Sequence, residues 1–174
     1  MKSEITKDRP SLRRFQEDLA RRIAAAAGAA HAEVRLGVSC ASRLWLLKLP
    51  DAGEIVAIPP LTPVPLTRPW FRGMASIRGI LYAVIDLGQF LGEPPAAMGQ
   101  HTRLLLVGRH YGMNSALMVE RVLGLRNLRD FAVAERSQGA AWLGAEYTDA
   151  QGQRWCELEI SVLVTASEFL DVAA

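Results

Sequence analysis

The chain has 174 residues, half of them hydrophobic and only 7% aromatic, so one domain or two small lobes must build a core from Leu, Val, Ile and Ala. A formal charge of +2 is too mild to point to nucleic acid, and Lys2, Lys7 and Lys48 are the only lysines, so the remaining basic side chains are arginines scattered along the chain. Cys40 and Cys156 lie far apart outside any CxxC spacing, which excludes a zinc or redox motif and reads as two buried thiols in a reducing compartment.

The longest apolar run, Ile80 to Ile85, falls far short of the roughly 20 residues of a membrane span. No apolar stretch follows the charges of MKSEITKDRPS, as a secretory signal would require. The expected location is the cytoplasm.

The first element is SLRRFQEDLARRIAAAA. Leu12, Phe15, Leu19 and Ile23 recur at helical spacing, and Arg13, Arg14, Glu17, Asp18, Arg21 and Arg22 occupy the other face. Ser11 after Pro10 suits an N-cap and Gly28 a stop. Such a stripe covers either the body of its own protein or a partner. Residues 1–33 are therefore an amphipathic helix with a linker, and 34–174 the main domain.

From Val34 the period shortens. RLGVSCASRLWLLKLPDAGEIVAIPP reads as three strands, with turns at Cys40–Arg43 and Pro50–Gly53. Prolines at 59, 60, 63, 65 and 69 then forbid a central strand and imply an extended connector. Phe71–Ile77 and Gly79–Ile85 read as two strands. Asp86 is the expected N-cap of a helical turn carrying Leu87, Phe90 and Leu91, which Gly92 ends.

EPPAAMGQ is a loop, followed by strands at Arg103–Val107 and Ser115–Val119 and by VLGLRNLRDF. The polar residues from Asp130 to Gly139 read as a flexible loop. The last third, AAWLGAEYTDAQGQRWCELEISVLVTASEFL, repeats the order strand, turn, strand, short helix. The doubling suggests two small barrels in an all-β protein with helical trim.

Nothing assembles a catalytic centre. His31, His101 and His110 have no ligand partners at metal spacing, no serine lies in GxSxG, and SIRG is not part of a phosphate-binding loop. No enzyme activity, cofactor or metal is expected. A small-barrel nucleic-acid binder, hinted at by the arginines and by Trp45, Trp70, Trp142 and Trp155, would need aromatics interleaved with basic residues on one strand face. Trp142 and Trp155 instead occupy matching places in the repeat, which suits core packing, so no nucleic-acid partner is expected.

The stretch GEIVAIPPLTPVPLTRPWFRGMASIRGILYAVIDLGQFLG resembles the CheW family of chemotaxis coupling proteins. The family's EI pair, proline-containing connector, glycine, NLRG motif, apolar strand and DL pair stand here as Glu54-Ile55, residues 59–69, Gly73, Ser76-Ile77-Arg78-Gly79, the strand to Ile85, and Asp86-Leu87. Two departures are SIRG for NLRG and Glu120 where the family's second lobe usually has Asp. PWFRGMASIRGILYAVIDLGQFLG, RVLGLRNL and TDAQGQRWCELEISVLV resemble most the branch serving type IV pilus chemosensory systems.

The resemblance implies two five-stranded SH3-like β-barrels packed around a shared core. It implies a non-enzymatic adaptor for twitching motility with two partners: the cytoplasmic tip of a methyl-accepting chemoreceptor and the regulatory domain of a CheA-like histidine kinase. A flagellar-type coupling protein is the nearer alternative. Membrane contact would be indirect, through inner-membrane receptor arrays, a polar position being one option.

The resemblance places the receptor site near Ala52, Glu54, Ile55, Arg78, Thr102 and Val122, with Arg78 and Glu54 forming a semi-buried ion pair. The kinase face is expected on the first lobe's loops.

Overall fold

A computed structural model describes residues 33–95, 98–136 and 139–174 of the chain. The expected N-terminal helix, and His31 with it, lies outside the described residues. Val34–Ala174 forms one compact unit.

Among the described residues, eleven strands make two sheets. They are β1 Val34–Cys40, β2 Arg43–Lys48, β3 Ala52–Val56, β4 Phe71–Ile77, β5 Ile80–Asp86, β6 Arg103–Val107, β7 Ser115–Val119, β8 Arg121–Asn127, β9 Phe131–Arg136, β10 Leu143–Asp149 and β11 Arg154–Leu158. The helical trim is short: α1 Leu87–Phe90, α2 Ile160–Leu163 and α3 Ser167–Leu170, with single 3-10 turns at Arg109–Tyr111 and Leu128–Asp130.

One sheet runs β3-β6-β7-β5-β4 and the other β8-β1-β2-β11-β10-β9. Pairing is antiparallel except for β5 with β7 and β2 with β11. The sequence doubling therefore does not map onto the lobes. The two N-terminal strands join the C-terminal ones, and β3 to β7 make the other lobe alone. The sheet built from both ends of the chain has six strands, not five.

Alternation explains why several strands read as unbroken apolar runs. Along β6 and β7, Leu104, Leu106, Ala116 and Met118 turn into the five-stranded lobe, beside Tyr82 and Val84. The intervening Leu105, Val107, Leu117 and Val119 turn the other way. There they meet Leu36, Val38, Trp45 and Leu47 from the six-stranded sheet in a core shared by both lobes. Leu46, Tyr147 and Trp155 fill the second lobe's own interior. A strand buried on both faces cannot carry polar residues at alternate positions.

The connector closes the first lobe. Thr62 and Met74 exchange backbone hydrogen bonds of 2.8 Å, joining the chain beyond β3 to β4. Farther along, Arg68 N donates to Val172 O and Ala174 N to Leu66 O, so the connector also holds the C-terminal segment. The expected loop from Asp130 to Gly139 instead contains β9. Phe131 packs edge-on against Trp155 and Tyr147, anchoring a strand whose apolar run, FAVA, is only four residues long.

Candidate functional site

Three turns converge at one end of the first lobe. The β2–β3 turn holds Asp51, which is buried. Its carbonyl accepts from Gly108 N at 2.9 Å, and its Oδ1 accepts from the Tyr111 hydroxyl at 2.7 Å. Burial first, and then the bond to Asp51, raise the Tyr111 hydroxyl well above its ordinary pKa. Asp51 thus ties the start of β3 to the β6–β7 turn.

The β4–β5 turn brings Arg78 to β3. Arg78 adopts φ 51°, followed by Gly79 at φ 78°, a pair of left-handed residues of the kind that closes a two-residue hairpin. Its Nη2 donates to Glu54 Oε1 at 2.5 Å.

The pair differs from the semi-buried one expected from sequence. The side chains are 74% and 40% exposed, because the hairpin tip projects past the sheet. Exposed pairs contribute about 0–1 kcal/mol, so Arg78→Ala should lower unfolding stability by less than about 1 kcal/mol in a urea titration. The variant therefore suits functional tests, since it should stay folded.

Beside the pair lies a small cavity of about 160 Å³, lined by Glu54, Arg78, Ile80, Tyr82 and Leu106 among others. The other expected residues do not all gather there. Ala52 and Ile55 stand opposite Val107 and Leu105, so they share the face of the sheet that meets the common core. Val122 lies in the other sheet, opposite Val38, and packs against that same core.

Ala52 and Val122 thus pack at the junction between lobes, Ile55 is 39% exposed on the same face of β3 as Ala52, and Glu54 with its partner Arg78 lies on the strand's opposite side. Thr102 is 4% exposed and its Oγ1 accepts from Gly99 N at 2.9 Å, beyond the far end of the β3–β6 ladder. Its side chain is nearly buried, and its hydroxyl oxygen already accepts one hydrogen bond. Because β3 is a terminal strand of its sheet, a partner lying along it would touch both faces.

Asp86 is fully buried, and its Oδ1 accepts from Gln89 N at 3.1 Å at the start of α1. Close to it, burial together with the charges of Glu120 and Asp86 pushes the Cys40 thiol up to about 12. The folded state holds that proton more tightly than the unfolded chain, so stability should fall as pH rises from about 9 toward 12. A Cys40→Ala variant should show a shallower alkaline loss in thermal unfolding scans, and thiol reagents should label Cys40 only on unfolding.

Among the described residues, no group of three or more His, Cys, Asp and Glu is placed to hold a metal ion, and no helix is long and apolar enough to cross a membrane. Trp45, Trp70, Trp142 and Trp155 are all buried, between 0% and 9% exposed, so none offers a face for base stacking.

Two features had no functional signal in the sequence. One is Asp51, whose role depends on a turn 60 residues away. The other is a buried ion pair between Arg35 and Glu157, whose only sequence hint is a charge inside each of two apolar strands.

Comparison with known proteins agrees with this architecture. The chain is 29% identical over 92 residues to Protein PilI of Pseudomonas aeruginosa, covering 53% of this chain and 51% of that protein. It is 34% identical over 96 residues to Protein FrzA of Myxococcus xanthus, covering 55% and 54% respectively. The aligned part is thus about half the length of these curated relatives.

The crystal structure of the scaffolding protein TtCheW from Thermoanaerobacter tengcongensis superposes with a TM-score of 0.62 at 18% identity, covering 72% of this chain and 88% of that one. That likeness concerns the fold alone. The model of the CheW-like domain matches residues 36–168, which takes in all but part of one strand and the C-terminal tail of the compact unit, and the chain belongs to that family.

Proposed function

We propose that the protein is a non-enzymatic adaptor that couples a methyl-accepting chemoreceptor to a CheA-like histidine kinase in a chemosensory system controlling type IV pili. The observation that carries this reading is β3. It is a terminal strand with an apolar face at the lobe junction and the Glu54–Arg78 pair on its other face. The cytoplasmic tip of a receptor, a helical hairpin, would lay its apolar side against that apolar face.

Ala52, Ile55 and Val122 would meet its apolar side and Arg78 its polar side. The kinase regulatory domain would engage other loops of the first lobe, away from the β4–β5 and β6–β7 turns. The likeness to PilI supports the pilus system, whereas a flagellar-type coupling protein would use the same surfaces. The adaptor would work in the cytoplasm, drawn to the inner membrane, and to receptor arrays there, only through the receptor.

The test is binding of the full chain, at moderate salt, to two fragments from the same genome: the receptor tip and the kinase regulatory domain. Wild type should bind both, and folded Arg78→Ala should lose affinity for the receptor tip alone. A folded wild-type protein that binds neither fragment would refute the adaptor reading.

A further inference from the structure

Arg109 lines the same cavity as Glu54 and Arg78, from the turn that follows β6. The Glu54 carboxylate already accepts from Arg78, and the Arg109 side chain makes no ion pair or hydrogen bond among the described residues. The cavity mouth therefore carries two guanidiniums and one carboxylate above an apolar floor of Ile80, Tyr82 and Leu106.

The turn that carries Arg109 is fixed in advance. Gly108 N is held by Asp51 O at 2.9 Å, Gly112 N by Arg109 O at 3.1 Å, and the Tyr111 hydroxyl by Asp51 Oδ1 at 2.7 Å. Gly112 takes the left-handed conformation that ends the turn, at φ 69°. The His110 ring lies against Tyr111, with centroids 4.0 Å apart. Asp51 also sits one residue before β3, so through its carbonyl and its buried carboxylate it links the strand of Glu54 to the turn of Arg109. A site whose backbone is already ordered loses less entropy when a partner docks.

We propose that Arg109 is a second recognition residue of this cavity, and that the segment seated there presents an acidic side chain next to an apolar one. This rests on the adaptor reading, and the acid is assigned to the receptor tip. The uncompensated guanidinium is the complementary charge, and the apolar floor takes the neighbouring side chain. A contact at the rim of an interface acts mainly through association rate and salt dependence.

The experiment uses the full chain and the same two fragments. Arg109→Glu should weaken binding to the receptor tip about tenfold at low salt and flatten its salt dependence, leaving kinase-domain affinity and the thermal midpoint unchanged. Arg109→Lys should keep most of the affinity. A receptor fragment with one acidic residue reversed to lysine should restore binding to Arg109→Glu.

The proposal is overturned if Arg109→Glu binds the receptor tip as wild type does with the same salt slope. It is equally overturned if both fragments weaken alike. Failure of the adaptor reading would look different, because wild type itself would bind no receptor tip.

Discussion

Glu157→Gln should cost the fold about 3–5 kcal/mol, read as a fall in the urea midpoint with an unchanged slope. Glu157 Oε1 accepts from Arg35 Nε at 2.7 Å, with side-chain exposures of 7% and 10%. The pair spans β2, joining β1 to β11 within the six-stranded sheet. Glutamine keeps the shape but removes the charge that faces the buried Arg35 guanidinium at 2.7 Å, and weakening that buried contact is what destabilises.

The converse follows from the same physics. Replacing both partners at once, as Arg35→Met with Glu157→Leu, should restore stability to near wild type or above it. The pair's attraction mainly offsets its own desolvation. A double variant as unstable as the single one would show that the ion pair itself, and not the mismatch left by removing one partner, holds the sheet.

Gly73→Ala should be similarly damaging, at about 3–5 kcal/mol, for a reason of backbone geometry rather than charge. Gly73 has φ 118°, and a Cβ built there would lie 2.2 Å from Thr62 O. The Thr62–Met74 bridge that closes the first lobe passes directly over it. Either the bridge breaks or the strand shifts.

Gly79→Ala is the control. It also has positive φ, at 78°, but nothing lies within 4 Å of the added carbon. Its cost should be about 1–2 kcal/mol, the ordinary penalty of a left-handed residue. Comparable losses for the two variants would mean that the close approach at Gly73 relaxes freely.

The two substitutions show how unevenly the sequence disclosed the molecule. Apolar runs such as RLLLV and SALMV mark strands because a two-faced core forbids polar residues on either side. For the same reason Arg103–Val107 and Ser115–Val119 emerge with the bounds expected of them. The turn at Asp86 is legible too, since a carboxylate that caps an amide works locally.

β9 was hidden. Its run FAVA is short and carries one aromatic ring, and the rings that Phe131 meets are distant in sequence. The candidate site was half legible. The resemblance named Glu54 and Arg78, which do meet, but it grouped them with Thr102, which is buried, and with Val122, which lies in the other sheet.

By itself, then, the sequence determined most of the strand segments, the turns between them and the family pattern they carry. All of these depend on neighbours a few positions apart. Only the tertiary structure decided that the first two strands join the last ones, that the semi-buried arginine is Arg35 rather than Arg78, and that Asp51 links the strand and the turn of the candidate site. Each of those depends on which strands become neighbours. Burial of a charge is fixed by that three-dimensional company, and periodicity along the chain carries no record of it.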